Sequence, residues 1–311
     1  WAQADGEKVK YRQYGKGYIM NGLSLEEAFE IISCIPDCKL PEDHSIHYGH
    51  RTMPGIDIYF LSNQTDEEKI IYPEFRITGK QPELWDATTG SIRDLPAYEQ
   101  KGQSTAVPLK LAANESAFIV FRRSAASPVS GNIVDNYPDP KVITELKGPW
   151  NVTFDTAKRG PSEPVAFETL YDWGTSSEKR IKYYSGSADY RIQFDLPQKQ
   201  PDQRILIDLG NLTAMAKVFV NGAYARVVWT PPYRLDITEQ VKTGTNELKI
   251  TVVNTWTNRM IGDLNLPEAE RETWSLVNQY NSQSPLQPSG LFGPVTINKI
   301  NRMGVFKENN N

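Results

Sequence analysis

Two apolar runs on either side of Asn221-Gly222 restrict the fold of this chain more than any other feature. The runs are Lys217–Val220 and Ala223–Trp229, and the dipeptide between them tolerates the positive φ that a two-residue hairpin turn requires. Farther along, Glu247–Val253 alternates apolar and polar residues, a period of two that indicates a strand with one buried face. Short strands with turn residues between them are typical of antiparallel sandwiches, so the chain is predicted to be mostly β.

The strand pattern divides into two regions. Residues 45–123 contain four candidate strands separated by turn residues, and they are predicted to form a small β-sandwich. These strands are Asp57–Asn63, Tyr72–Ile77, Thr105–Leu111 and Ser116–Phe121. Ser124–Pro140 is rich in Ser, Pro, Gly and Asp and shows no periodicity, which predicts a linker over residues 124–143. A second β-sandwich is expected over residues 144–303, followed by a disordered tail, residues 304–311.

A short helix is predicted near the N-terminus. Ser24 and Glu27 have the spacing of a reciprocal capping box. Apolar residues then recur with helical spacing and form one stripe: Leu25, Ala28, Phe29 and Ile32. Pro36 is expected to end this helix, and Tyr18–Met20 is expected to be a strand before it. Residues 1–44 are therefore predicted to be a strand–helix extension, too small to bury both of its faces by itself.

The second sandwich contains further candidate strands and one long excursion. Leu146–Phe154 places three large apolar residues on one face, and Ile181–Tyr184 and Tyr190–Leu196 are also predicted to be strands. Gly293–Ile300 is expected to supply the closing strand. Leu264–Gly290 is polar and lacks strand periodicity, and it is too long for an ordinary loop, so it is predicted to be functional or partly helical.

Three successive segments of the second region carry a family resemblance. They read VFVNG, WTPPYRLDIT and GTNELKITVVNTWTNRMIGD. Their order resembles the C-terminal region of glycoside hydrolase family 106, the α-L-rhamnosidase-like enzymes, and the sugar-binding jelly-roll of glycoside hydrolase family 2. The resemblance runs from Lys147 to Ile300 and more loosely back to Tyr14. It implies a galactose-binding-like jelly-roll at 144–303 and a remnant of an upstream α/β domain at 1–44. It also implies that the hydrolytic carboxylates belong to a separate, upstream barrel domain.

Composition and charge exclude several classes of function. The formal net charge of −4 and the pI of about 5.6 provide no basic footprint for nucleic acid. No apolar run reaches the roughly 18 residues of a membrane span. Because the chain begins at Trp1, it is expected to be processed or a fragment, with any signal peptide removed. Because the family resemblance points to bacteria, we expect a secreted or periplasmic protein. Its expected partners are a plant or bacterial polysaccharide or an upstream catalytic domain.

Sugar recognition needs flat aromatic faces for the C–H side of a pyranose and planar polar groups for its hydroxyls. Eight residues of the second sandwich supply such groups: Trp229, Tyr233, Trp256, Asn258, Arg259, Asp263, Trp274 and Tyr280. The segment after Glu247–Val253 is expected to be a loop, where functional residues concentrate. The excursion is expected to return Trp274 and Tyr280 to the same end. A structural alternative stays open, in which Arg259 pairs with Asp263 or packs under Trp256.

The leading functional prediction is an accessory carbohydrate-binding or structural portion of a rhamnosidase-like glycoside hydrolase, non-catalytic as an isolated chain. One rival is a minimal hydrolase with an interdomain site that uses Asp172, Asp263 or Glu268, and another is a purely structural module. No cofactor is expected, although jelly-rolls of this kind commonly carry a structural calcium ion. Cys34 and Cys38 could close a small disulfide loop or remain free thiols, and both possibilities stay open.

Overall fold

The computed structural model describes residues 7–42, 44–125, 132–201, 203–277 and 279–301. The chain divides into two compact units, and the boundary falls between Tyr137 and Pro138. This boundary lies inside the segment predicted to be a linker, of which residues 126–131 are outside the described part. The predicted tail, residues 304–311, also lies outside it. Strands dominate both units, as the alternating patterns predicted.

The first unit contains thirteen described strands and two short helices. Its helices are α1 (Leu25–Ile31) and α2 (Ile133–Asn136). Its strands are β1 (Tyr11–Tyr14), β2 (Gly17–Met20), β3 (Cys38–Lys39), β4 (Ile46–Met53), β5 (Ile56–Asn63), β6 (Lys69–Ile71), β7 (Glu74–Phe75), β8 (Lys80–Trp85), β9 (Ile92–Asp94), β10 (Glu99–Lys101), β11 (Ser104–Ala106), β12 (Leu109–Leu111) and β13 (Ser116–Ser124).

Two antiparallel sheets of the first unit share one core, which makes this unit the predicted small sandwich. One sheet has the order β4-β5-β13-β8-β9 and the other has the order β10-β11-β7-β3. Tyr59 on β5 and Phe75 on β7 belong to different sheets, yet their ring centroids are 4.7 Å apart. Both side chains are fully buried, and Phe121 on β13 completes the aromatic cluster. Large aromatic residues dominate such cores because each removes a large apolar area from water.

Proline accounts for two errors in the strand prediction for this unit. Tyr72–Ile77 was predicted as one strand, but only Glu74–Phe75 is a strand there, directly after Pro73. Thr105–Leu111 is divided into β11 and β12 on either side of Val107-Pro108. A proline has no backbone N–H to give to a ladder, so it interrupts the pairing that alternation alone would predict.

The N-terminal extension is a hairpin followed by α1. The capping box is present, because Ser24 Oγ accepts from Glu27 N at 3.2 Å and Glu27 Oε2 accepts from Ser24 N at 2.8 Å. The helix ends at Ile31, five residues before Pro36, so the prediction that Pro36 ends it was wrong. None of the helical residues is buried, and Leu25 on the apolar stripe is 71% exposed. The sequence therefore encodes an amphipathic helix whose apolar face is largely exposed, with only Ala28 partly covered, among the described residues.

The second unit has twelve described strands and two short helices. Its helices are α3 (Lys179–Lys182) and α4 (Thr257–Asp263). Its strands are β14 (Lys141–Glu145), β15 (Trp150–Phe154), β16 (Val165–Phe167), β17 (Ser187–Leu196), β18 (Gln203–Asp208), β19 (Asn211–Thr213), β20 (Met215–Val220), β21 (Ala223–Val228), β22 (Arg234–Asp236), β23 (Gly244–Val253), β24 (Gly290–Gly293) and β25 (Thr296–Asn301).

A six-stranded and a four-stranded sheet form the second sandwich. Their orders are β16-β15-β17-β23-β20-β21 and β14-β25-β18-β22. Ile250 on β23 and Ile207 on β18 are both fully buried in one continuous apolar core, so the sheets pack face to face. The predicted hairpin joins β20 to β21, with φ of 52° at Asn221 and 80° at Gly222. The alternation that predicted these strands thus reflects one face in the core and one in solvent.

Two local predictions for this unit assigned the wrong type of secondary structure. Ile181–Tyr184 was predicted to be a strand, but its first two residues belong to α3 and the other two are in no strand. Only Ile181 and Tyr184 are buried there, a spacing of three that suits a helix, and the β-propensity of the tyrosines was outweighed by packing. The segment after β23 was predicted to be a loop and instead forms α4. The closing strand is also interrupted, because Pro294 separates β24 from β25.

Candidate carbohydrate-binding site

The candidate site lies at one end of the six-stranded sheet. Val253 is the last residue of β23 and pairs with Ser187, the first residue of β17. Asn254 follows at once and is buried: its amide donates to Tyr184 O at 2.8 Å and to Ser289 Oγ at 2.6 Å. Its oxygen accepts from Gly186 N at 2.9 Å. Because both its amide nitrogen and its oxygen have hydrogen-bond partners, the Asn254 side chain fixes the point where the chain leaves the sheet and turns into α4.

Asn258 joins α4 to the end of the excursion. Its side-chain amide donates to Gln287 O at 2.8 Å, and its oxygen accepts from Gln287 N at 2.8 Å. The side chain is 2% exposed, so both of its polar ends are engaged with backbone. A paired amide of this kind satisfies a non-regular segment that has no sheet or helix partner. The geometry gives Asn258 a structural task and leaves no group of it facing solvent.

Arg259 and Asp263 are also buried, one turn apart on α4. Their closest charged atoms, Arg259 Nη1 and Asp263 Oδ1, are 3.6 Å apart. Arg259 Nε lies 3.6 Å from Glu272 Oε2, and Glu272 also pairs with Arg159. Asp263 Oδ2 accepts from the backbone N–H of Glu272 at 3.0 Å. The structural alternative raised by the sequence, an Arg259–Asp263 pair, therefore describes this geometry.

One atom of each partner in that pair makes no hydrogen bond within the described residues. These atoms are Arg259 Nε and Asp263 Oδ1, and both are buried. Buried polar atoms usually find a protein or water partner, so such atoms mark a strained or functional place. At 8% and 1% exposure, however, Arg259 and Asp263 present almost no surface to a bulky ligand. Their effect on binding is therefore expected to be indirect, through the segment that they hold.

Three aromatic candidates remain accessible around α4. Trp256, which directly precedes the helix, is 72% exposed, and Trp274 in the excursion is 84% exposed. Tyr280 is half-buried, and its hydroxyl lies 3.5 Å from Thr257 Oγ1 and 3.0 Å from Gln279 Nε2. The hydrogen bond with Thr257 and, to a smaller extent, the one with Gln279 lower the pKa of Tyr280. The structure thus separates the candidates into buried polar supports and exposed aromatic faces.

Trp229 reaches the same end of the sheet by a different route. Val228, the last residue of β21, pairs with Ala216 on β20, and Ala216 pairs with Val252 on β23. Trp229 and Asn254, at which the chain leaves β23 toward α4, are therefore two strands apart, which is about 10 Å at the usual strand spacing. Trp229 is 56% exposed. Tyr233 instead packs against the apolar core, and burial raises its pKa.

The acids nominated for a catalytic role occupy different structural positions. Asp172 Oδ1 accepts from Gly174 N at 2.8 Å and from Ser289 N at 2.9 Å, so it caps a turn and ties it to the end of the excursion. Asp263 is engaged as described above. Glu268 lies on an exposed 3-10 turn, Glu268–Glu270. Two of the three nominated carboxylates therefore hold backbone N–H groups in the folded unit.

The structure adds residues that sequence reasoning did not select. Glu272 and Arg159 belong to the charge network around Arg259, although Arg159 is far away in sequence. Leu276 and Val277 are 86% and 78% exposed beside Trp274. Only the apolar run within an otherwise polar excursion could have signalled the latter pair. The charge network had no sequence signal, because its members come from three separate segments.

Metal and thiol groups give two further findings. Among the residues that the structure describes, no group of three or more His, Cys, Asp or Glu side chains is placed to hold a metal ion. Cys34 and Cys38 are both free thiols, the first exposed and the second buried.

No helix in the described ranges is long and apolar enough to cross a membrane.

Comparisons with known proteins place this geometry in a family context. The family described as alpha-L-rhamnosidase matches residues 1–100, and the glycosyl hydrolase 2 galactose-binding domain-like family matches residues 173–284. A putative beta-glucuronidase from Formosa agariphila is 32% identical over 208 residues, which cover 57% of this chain and 17% of that protein. The match to residues 173–284 contains all eight sugar-binding candidates, whereas Asp172 lies one residue outside it.

A solved structure resembles nearly the whole chain. The rhamnosidase from Novosphingobium sp. PP1Y is 34% identical with a TM-score of 0.87, and the match covers 96% of this chain and 28% of that one. The chain therefore spans less than a third of either relative. Both resemblances inferred from the sequence are confirmed as similarities: residues 1–100 match the family described as alpha-L-rhamnosidase, residues 173–284 match the glycosyl hydrolase 2 galactose-binding domain-like family, and the fold resembles that of a rhamnosidase.

Proposed function

We propose that this chain is an accessory, carbohydrate-binding and structural portion of a rhamnosidase-like glycoside hydrolase, and that it does not hydrolyse glycosides by itself. The observation that carries the proposal is the contrast in exposure between the polar and the aromatic candidate residues around α4. Its polar candidates are buried and bonded to the protein, whereas the indole faces of Trp256 and Trp274 are exposed. Exposed aromatic faces bind sugar rings by stacking, and they supply neither an acid nor a nucleophile.

The state of the nominated acids supports the non-catalytic part of the proposal. Glycoside hydrolysis commonly needs one carboxyl group as general acid and a second as nucleophile or base, both accessible to the glycosidic bond. Asp172 and Asp263 are instead committed to backbone N–H groups. A catalytic pair drawn from Asp172, Asp263 and Glu268 would thus have to take at least one carboxylate away from its structural partners.

The exposed stripe of α1 supports the structural part of the proposal. An amphipathic helix normally buries its apolar face, and an uncovered face commonly marks a contact with another domain or protein. Leu25, Phe29 and Ile32 are all exposed along this face. We propose that the rest of a rhamnosidase-like enzyme covers it, and that the larger protein acts on polysaccharide outside the cytoplasm.

The test combines an activity assay with a glycan array. The purified chain is incubated with 4-nitrophenyl α-L-rhamnoside and 4-nitrophenyl β-D-glucuronide and is also applied to the array. We expect no turnover and measurable glycan binding. Turnover that disappears in Glu268→Gln, an exposed change compatible with folding, would overturn the non-catalytic part. A correctly folded chain that binds no glycan would overturn the carbohydrate-binding part.

A further inference from the structure

The side chain of Asn221 ties the turn between β20 and β21 to residues 240–247. Its Nδ2 donates to Gln240 O at 2.8 Å and to Asn246 Oδ1 at 2.9 Å. Its Oδ1 accepts from Glu247 N at 3.1 Å. Both polar atoms of the amide therefore have partners in the protein, although Asn221 itself is exposed.

Asn246 keeps the receiving side of this contact in place. It is fully buried, and its Nδ2 donates to Lys242 O and to Gly244 O, each at 2.8 Å. Its Oδ1 also accepts from Lys242 N at 2.9 Å. A buried amide with this many bonds has one favourable orientation. Asn246 therefore cannot follow the Asn221 side chain if that side chain turns away.

Asn221 is followed by Gly222, and this pair is chemically labile, because glycine has no side chain to keep its backbone nitrogen away from the asparagine amide carbon. The Gly222 nitrogen loses its proton to solvent and bonds to Asn221 Cγ, the Cγ–Nδ2 bond breaks, and Nδ2 leaves as ammonia. Water then opens the resulting succinimide ring at either carbonyl. The product is aspartate or isoaspartate, and the only other reactant is water.

The turn combines an accessible backbone with a restrained side chain. Gly222 is exposed, and a Cβ built on it would meet nothing within 4 Å. Attack by the Gly222 nitrogen requires Asn221 Cγ to rotate toward it, and this rotation breaks the hydrogen bonds that hold the amide. The reaction therefore has to pass through a locally opened state, whose population falls as the free energy of opening rises.

The products are unable to restore the contact. An aspartate carboxylate only accepts hydrogen bonds, so Gln240 O and Asn246 Oδ1 would face it without a donor. Leaving such acceptors unpaired destabilises the closed state. Isoaspartate also adds a carbon to the main chain at the turn that sets the register of β20 and β21. A turn that has opened and reacted should therefore not close again as before.

We infer that Asn221-Gly222 is a latent modification site, unreactive while the hairpin is closed and converted to aspartate and isoaspartate when the turn opens. The modification makes the opening permanent, so it records local unfolding of the second sandwich. This inference goes beyond the proposed function and does not depend on carbohydrate binding.

The test compares the same site in the native and in the urea-unfolded chain. The whole chain is incubated at mildly alkaline pH and digested with trypsin. Cleavage after Lys217 and Arg226 releases residues 218–226, in which mass spectrometry and chromatography quantify aspartate and isoaspartate. In the native chain, Asn221 should convert at least about tenfold more slowly than in urea. Equal rates in the two states would overturn the inference.

A second Asn-Gly pair in the chain, Asn21-Gly22, is the reference in urea. Both pairs should convert at similar rates there, because the unfolded chain removes the restraint on Asn221. If Asn221 stays unmodified in urea while Asn21 converts, the pair at 221 is not labile and the inference is wrong.

Two variants test whether modification makes the opening permanent. Asn221→Asp carries the carboxylate of the product, and it should raise the amide hydrogen exchange rates of β20 and β21 by at least about tenfold. Asn21→Asp makes the same change at an exposed position of the first unit and should leave exchange in this hairpin unchanged. Exchange in Asn221→Asp that equals that of the unsubstituted chain would overturn this part of the inference.

Discussion

Asp263 accepts two hydrogen bonds from Thr273, one from the backbone N–H and one from the hydroxyl, each at 2.8 Å. Asp263 is the last residue of α4, and Thr273 lies ten residues farther along a segment with little regular structure. Non-regular segments need side-chain partners for their backbone groups, because they have no ladder to provide them. This contact therefore decides where Trp274 stands, although neither residue needs to touch a sugar.

The first prediction concerns the stability that Asp263 provides. Asp263→Ala should lower the free energy of unfolding by about 3–5 kcal/mol, because it leaves the buried Arg259 with only the partly exposed Glu272 as a carboxylate partner and frees the Thr273 N–H. Glu247→Gln is a matched control, since Glu247 pairs with Arg191 on the surface, where pairs contribute about 0–1 kcal/mol. Urea unfolding measures both changes. Similar costs for the two variants would contradict the structural role of Asp263.

The second prediction concerns the close approach of Gly290 to Trp173. A Cβ at Gly290 would lie 2.6 Å from Trp173 Nε1, and its φ of 105° disfavours any side chain. Gly222 also has positive φ, but a Cβ there meets nothing within 4 Å. Gly222→Ala should therefore cost about 1 kcal/mol from strain alone, and Gly290→Ala should cost more because of the added clash. Melting temperatures test this order, and equal shifts would contradict it.

The third prediction concerns the buried hydrogen bond between Trp173 and Tyr190. Trp173 Nε1 donates to Tyr190 OH at 2.6 Å, and both side chains are fully buried. Tyr190→Phe leaves the indole N–H without this acceptor, so it should cost about 1–3 kcal/mol of stability. Tyr224→Phe removes an exposed hydroxyl and should change stability by less than about 0.5 kcal/mol. Denaturant titration that finds the two equally mild would remove the basis for this network.

The fourth prediction concerns the pH dependence of the first unit. Burial raises the pKa of Glu83, but hydrogen bonds from Trp85, Arg123 and Arg122 outweigh this effect, and its pKa lies below the ordinary value of 4.5. A carboxyl group with a lowered pKa stabilises the fold fully above its unfolded pKa, and that contribution is lost as pH falls through the folded pKa. The first unit should therefore lose stability as the pH is lowered below about 4.5.

Glu83→Gln tests this dependence directly. The variant should be less stable at pH 7 by about 2–4 kcal/mol, since both arginines are only partly buried, and its stability should vary less with pH. Glu99→Gln on β10 is an exposed control with little expected effect. Amide hydrogen exchange in β8, compared between pH 7 and pH 3.5, reports on this unit by itself. An unchanged pH profile in Glu83→Gln would assign the acid sensitivity to other groups.

The fifth prediction concerns the two cysteines. Burial, with a further effect of Asp37, raises the pKa of the Cys38 thiol to about 12, whereas Cys34 is exposed. Because the thiolate is the reactive form, a maleimide should label Cys34 in the native protein and should reach Cys38 only on unfolding. Mass spectrometry should find one label per native chain. Two labels, or none without a reductant, would contradict the free-thiol arrangement.

The sequence by itself determined the mostly β architecture, the Asn221-Gly222 hairpin and the capping box of α1. Each depends on residues that are neighbours in the chain, where alternation, turn chemistry and local hydrogen bonds act directly. These features could be predicted because their physics does not require knowledge of distant residues. Pro73 and Pro108 interrupted two predicted strands for an equally local reason, which the alternation pattern alone did not include.

Tertiary structure alone decided the character of the candidate site. The sequence placed Asn258 and Arg259 in a loop with their donors available, whereas the fold puts both on a helix and buries them against the returning excursion. Arg159 and Arg259 both pair with Glu272 although Arg159 lies in a distant segment of the chain, and no sequence period records such a contact. Burial and pairing depend on which distant segments pack together, so only the folded chain separates the buried polar supports from the exposed indoles.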